Sequence, residues 1–169
     1  MLGGVETTRW LGPEEQKAWR SFLESHAQLM AVLGRELQTE SGLSAQDYAV
    51  LVNLSERPDG VMRAFELGRE LAWEKSRLSH HVARMVERGL VSRRRCPSDR
   101  RGSFVAITRR GRRALEAAAP GHVASVREHF IDLLSLEELE FLTAISEKVL
   151  ARLSDVGDED DGCLAEVSR

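Results

Sequence analysis

Between Gly89 and Thr108 the hydrophobic period of the chain changes, and that change restricts the fold more than any other feature of the sequence. Before Gly89 the apolar residues recur at helical spacing. Leu90–Arg94 and Ser103–Ile107 instead alternate faces, and Pro97-Ser98-Asp99-Arg100-Arg101-Gly102 between them is turn-forming chemistry. A β-hairpin with a long basic tip is therefore expected inside an otherwise helical chain.

The helices around it can be bounded by their caps. Gly12-Pro13 opens a long amphipathic helix over 13–40, whose apolar set includes Trp19, Phe22, Leu23, Met30, Leu33 and Leu37. Ser44 caps a second, which ends near Pro58-Asp59-Gly60. A short third helix is expected around Phe65–Ala72, and a fourth from Lys75 to Arg88 that stops at Gly89. Beyond the hairpin, Thr108 caps a helix interrupted or redirected near Pro120-Gly121 and resuming through His122–Leu134. Ser135-Leu136-Glu137-Glu138 then has the form of a capping box, opening a last amphipathic helix.

Helix, turn, helix, basic hairpin is the build of a winged helix-turn-helix, here centred on residues 63–110, in which the second helix of the pair enters the major groove. At about 100° per residue, Leu78, Val82, Met85 and Val86 share the core side of the fourth helix. The opposite side then carries Ser76, Arg77, His80 and Arg84, flanked by His81, Arg88 and Ser79 and preceded by Lys75, a set suited to base edges and phosphates. Arg93, Arg94, Arg95 and Arg100 read as backbone contacts rather than base readers.

Charge supports this. The net charge of −3 hides a segregation: Arg63–Arg113 holds 15 basic and 5 acidic residues, leaving 9 of the 24 basic and 22 of the 27 acidic residues elsewhere. A basic block in an acidic chain is the footprint of a phosphate-binding surface. A winged helix that binds another protein and has no DNA affinity is the alternative reading.

Other functions find little support. No apolar run is long enough to span a membrane, and Met1–Glu6 lacks the start of a secretory signal. Cys96 and Cys163 stand alone, without metal-ligand or disulfide spacing, which suits the cytoplasm, and the DNA-binding reading makes the expected protein nucleoid-associated. No nucleophile elbow, phosphate loop, dinucleotide fingerprint or zinc-protease motif occurs, so neither an enzyme nor a cofactor is expected.

Leu67-Gly68-Arg69-Glu70-Leu71, Lys75-Ser76-Arg77-Leu78-Ser79, Arg88-Gly89-Leu90-Val91, Asp99-Arg100-Arg101 and Ile107-Thr108-Arg109-Arg110-Gly111, in that order, resemble the multiple-antibiotic-resistance regulator (MarR) family of bacteria. The resemblance implies a homodimer of triangular outline, with first and last helices interleaved and two winged lobes reading a palindromic operator in double-stranded DNA. Most relatives repress. Asp99 and Arg101 match a wing motif in which the carboxylate braces an arginine that enters the narrow minor groove. Many relatives also bind small aromatic or phenolic effectors. Trp19, His26, Met30 and Trp73 are the candidate lining here, the competing role for each being core or dimer contact. Some relatives sense zinc, which leaves His26, His122 and His129 as residual metal candidates, although no metal site is expected from their spacing.

The expected fold is thus mainly α with a small β-hairpin wing: a winged helix-turn-helix (about 44–111) with N- and C-terminal dimerisation helices (about 13–40 and 120–153). Residues 1–12 are expected to be a flexible start, 13–153 the folded domain and 154–169 an acidic disordered tail.

Overall fold

A computed structural model of the chain describes residues 8–95 and 103–161, with side chains through Arg94 and from Ser103 to Leu153. The element order is α1 (Pro13–Ser41), α2 (Ala45–Ser55), β1 (Val61–Arg63), α3 (Ala64–Glu70), α4 (Lys75–Glu87), β2 (Val91–Arg95), β3 (Ser103–Ile107), α5 (Arg109–His129), a 3-10 turn (Ile131–Leu133) and α6 (Leu136–Asp161). By contacts the chain divides into two compact units, residues 1–125 and 126–169.

In the first unit, helix ends follow side-chain chemistry. The Gly12 N–H donates to Glu15 Oε2 at 2.8 Å at the start of α1, and Gly42, at φ 71°, closes its end. Ser44 and Asp47 form a reciprocal cap on α2: the Asp47 N–H donates to Ser44 Oγ, and the Ser44 N–H to Asp47 Oδ2. Thr108 Oγ1 accepts from the Gly111 N–H at 3.0 Å, as expected for the cap of α5. Leu51, Leu54, Leu67, Val82, Met85 and Val105 are fully enclosed among these elements. Each contributes about 1.5–3 kcal/mol by leaving water.

The wing is a three-stranded antiparallel sheet in the order β1-β3-β2, not a hairpin alone. β1 pairs Val61 with Ala106 and Arg63 with Phe104. At three residues it is too short to show a period in sequence, and its partner lies some forty residues on. Gly60 makes the pairing possible: it has φ 68°, and a Cβ there would lie 2.8 Å from Ile107 Cγ2.

Two expectations need correcting. α5 runs without a break through Pro120. Proline removes a single N–H bond from a helix. Buried Ala118 and Ser125, with His122 packed on Tyr48 at 4.5 Å, continue the contacts of α5 on both sides of it. Val86 is 39% exposed rather than core, because α4 buries only the narrower stripe Leu78, His81, Val82 and Met85. In the second unit, α6 spans Leu136–Asp161. No proline interrupts it, and one interior glycine, Gly157, costs about 1 kcal/mol without ending a helix. α6 does open on the expected capping box, with the Ser135 N–H donating to Glu138 Oε2 at 2.7 Å and the Glu138 N–H to Ser135 Oγ at 3.2 Å.

Gly111 marks where α5 meets the turn after α4. A Cβ there would lie 2.0 Å from the Leu90 carbonyl oxygen, a backbone atom that cannot rotate away. Gly111→Ala should therefore lower the unfolding free energy by about 3 kcal/mol, at the upper end of overpacking penalties, as measured by denaturant titration. At Gly121 the nearest obstacle is the mobile carboxylate of Glu40, so Gly121→Ala should leave stability unchanged or improve it.

Candidate nucleic-acid interface

α4 presents the face expected of it. Leu78, Val82 and Met85 anchor it in the core, while Lys75, Ser76, Arg77, His80 and Arg84 are exposed on its other sides and Ser79 is half-buried. The turn before it is tight. The Trp73 N–H donates to the Gly68 carbonyl at 2.8 Å, and Ala72 adopts φ 51°, a left-handed value unusual for a residue with a side chain. That turn leaves Trp73 half-buried against the first turn of α4.

The exposed cations have neutral neighbours. The Arg77 guanidinium sits 4.7 Å from the centre of the Trp73 ring, a cation–π contact. One Arg84 NH2 lies 3.0 Å from His81 Nδ1. On the sheet, Arg93 donates through Nε to Ser103 Oγ at 3.2 Å and through NH1 to Ser79 Oγ at 3.4 Å, so a hydroxyl of α4 and one of β3 share a guanidinium from β2. Arg94 is exposed, and Arg63 packs over the Phe104 ring at 5.4 Å.

Two flanking residues of α4 face inward instead. His81, expected on the DNA side, is only 8% exposed, and its Nε2 lies 3.1 Å from Asp47 Oδ1. Arg88 donates through NH1 to Asp47 Oδ2 at 2.6 Å and through NH2 to the Gly42 carbonyl at 2.9 Å. Asp47 is itself buried. Burial alone pulls its carboxyl upward, but Arg88 and the Ser44 N–H outweigh that and hold it below the usual carboxylate value. His81 is held below the usual imidazole value, first by burial and then by Arg84 and Arg77, with Asp47 opposing. The sequence showed Asp47 only as the third residue of a capped helix. Its tie to Arg88, 41 positions away, leaves no local signature.

The remaining expected residues divide as follows. Asp99, Arg100 and Arg101, together with Cys96 and Cys163, lie outside the described residues. Trp73 lines a cleft of about 640 Å³ with Phe65, Ser79, Arg93 and Phe104. Trp19, His26 and Met30 do not line it; they stand exposed on α1, where Trp19 stacks on Phe22 at 6.0 Å and Phe22 on His26 at 6.2 Å. Among the described residues no cluster of three metal-ligating side chains occurs, and no helix is long and apolar enough to cross a membrane.

Comparison with known proteins identifies the framework. Over 109 residues the chain is 35% identical to the transcriptional regulator HosA of Escherichia coli, a match covering 64% of this chain and 78% of that one. The family model for the MarR family matches residues 41–102. The chain belongs to the MarR family. AbsC, a MarR family transcriptional regulator from Streptomyces coelicolor, superposes with a TM-score of 0.82 at 44% identity, covering 88% of this chain and 99% of AbsC. Sco3205, another MarR family regulator of that organism and solved in complex with DNA, gives 0.81 at 41% identity, covering 85% of this chain and 90% of its own. The match to the MarR model runs from α2 into the wing, so it includes the Asp47–Arg88 tie and every α4 residue named above. These relatives are regulators and not enzymes.

Asp47→Ala removes a helix cap and leaves Arg88 without its carboxylate, so it should lower stability by about 2–3 kcal/mol near neutral pH. The folded pKa of Asp47 lies below its unfolded value of 3.8, so this contribution is present above 3.8 and is lost as pH falls through the folded value. Unfolding free energies of parent and variant should converge as pH is lowered through that window.

Proposed function

We propose that this MarR-family regulator binds double-stranded DNA as a homodimer. α4 enters the major groove, and the sheet carries Arg93 and Arg94 to the flanking backbone. The observation that carries this reading is the division of α4 into a buried apolar stripe and an exposed basic face, with the cations of that face packed on neutral groups. Lys75, Ser76, Arg77, Ser79, His80 and Arg84 are the contacts assigned to α4, and Sco3205, solved in complex with DNA, supports DNA as the partner. Two symmetric lobes read a palindromic operator, since a two-fold axis in the protein demands one in the site. DNA binding places the protein in the cytoplasm with the nucleoid. Repression, with release by a small aromatic or phenolic acid, is the mode of control that goes with this family. Trp19, His26, Met30 and Trp73 are the residues proposed to meet that effector.

Dimerisation has its own support. α1 exposes Trp19, Phe22, Leu23 and Met30, and α6 separately exposes Phe141, Ile145, Val149, Leu150 and Leu153. Apolar strips of this kind on both helices are unusual for a monomer. Light scattering at micromolar concentration should give twice the chain mass of 18.9 kDa. A monomer would remove the two-fold operator along with the dimer.

Binding to a fluorescent duplex should weaken steeply as salt rises, because each arginine on a phosphate displaces counterions. On a duplex selected by the protein from a random pool, Arg77→Ala and Arg84→Ala should each lose about 1–3 kcal/mol and relax preference at one position. Equal losses on selected and random duplexes would show that they touch phosphate alone.

A further inference from the structure

Beneath the exposed face of α4 lies a polar chain that DNA contact alone does not explain. The guanidinium of Arg84 only donates hydrogen bonds, so the His81 Nδ1 it approaches at 3.0 Å is the accepting, unprotonated nitrogen of the ring. The ring proton then sits on Nε2, which faces Asp47 Oδ1 at 3.1 Å. That contact lacks hydrogen-bond alignment, so it is an electrostatic one. Trp73 closes the ring off edge-on at 5.2 Å. The charged groups around the imidazole are Asp47 from α2 and Arg77 and Arg84 from α4, with Arg88 reaching it through Asp47. Burial and the two nearer cations favour the neutral ring, which is the form that can accept from Arg84.

We propose that His81 is a positioning residue: the neutral imidazole, oriented by buried Asp47, holds the Arg84 guanidinium in place on the DNA face, and protonation of His81 releases it. This rests on the reading of Arg84 as a DNA contact. An arginine fixed before binding forfeits less rotamer freedom on docking, so the relay raises affinity without touching DNA. Protonating Nδ1 turns the acceptor into a donor and sets two cations about 3 Å apart, so Arg84 must leave. Added positive charge alone strengthens binding to any duplex. Release of Arg84 instead weakens binding to the selected duplex relative to a random one. Only the release changes the ratio of the two affinities, because the added charge strengthens both alike.

The test compares parent, His81→Asn, His81→Phe, Arg84→Ala and the His81→Phe/Arg84→Ala double variant by fluorescence anisotropy. The probes are a duplex selected by the parent from random sequence and an unselected duplex, at one salt concentration across acid to mildly alkaline pH. His80 is unchanged in all five proteins. The asparagine carbonyl can stand in for Nδ1 and does not titrate. The expected result is that His81→Phe and Arg84→Ala each lose about tenfold on the selected duplex and the double variant loses no more. His81→Asn should stay within about threefold of the parent at neutral pH and should lack the parent's fall in discrimination on acidification. Full affinity in His81→Phe beside a weakened Arg84→Ala overturns the relay while the DNA reading stands. So do additive losses, or an acid response that persists in His81→Asn. An unimpaired Arg84→Ala overturns the relay and the assignment of Arg84 together. Should circular dichroism show that His81→Phe fails to fold, the pH profile of His81→Asn decides alone.

Discussion

The carboxylate of Asp47 is the fixed point around which the first unit is arranged. A buried carboxylate is tolerated only when its oxygens are satisfied, and here each oxygen has a separate duty. Oδ2 takes the Ser44 N–H and the Arg88 guanidinium, while Oδ1 faces His81. Arg88 also reaches the Gly42 carbonyl, so one side chain binds the end of α4 to the end of α1 and the start of α2. Gly89 and Leu90 follow at once, and the Thr108 hydroxyl donates to their carbonyls, which carries the same constraint into the sheet and α5. Apolar packing alone would let α4 slide or rotate by small amounts. The Asp47–Arg88 tie gives it a definite end point.

Local rules made much of this legible in the sequence. Gly89 was readable as a helix stop, and Ser44, Thr108 and Ser135 as helix starts, because each acts on backbone groups within a few residues. The core stripe of α4 was readable at Leu78, Val82 and Met85 because burial there follows the helical period. Where the reading failed, the deciding partner was distant. A helical wheel ranks Val86 and His81 by angle alone. The structure ranks them by what faces them, and Asp47 faces His81. Pro120 was read as a break because its effect on its own helix is local, whereas the packing that carries α5 through it comes from Tyr48 and neighbouring residues. β1 was invisible for the same reason, as three residues become a strand only when β3 arrives.

The division of labour among the arginines follows from one electrostatic requirement. Arg57, Arg88 and Arg127 are held by carboxylates, those of Glu70, Asp47 and Asp132. Arg77, Arg84 and Arg93 are instead held by an aromatic face, an imidazole nitrogen and two hydroxyls. Both arrangements restrict a long side chain, but they leave different fields behind. A carboxylate partner cancels most of the potential that a guanidinium would offer a phosphate, and breaking that pair on binding would consume the attraction gained. A neutral partner orients the guanidinium while its charge stays available. The acidic residues of the chain are correspondingly sparse between Arg63 and Arg113 and abundant outside it. A side chain that must be both ordered and electrically free needs a neutral neighbour, and α4, the turn before it and β3 supply one at each of these three positions.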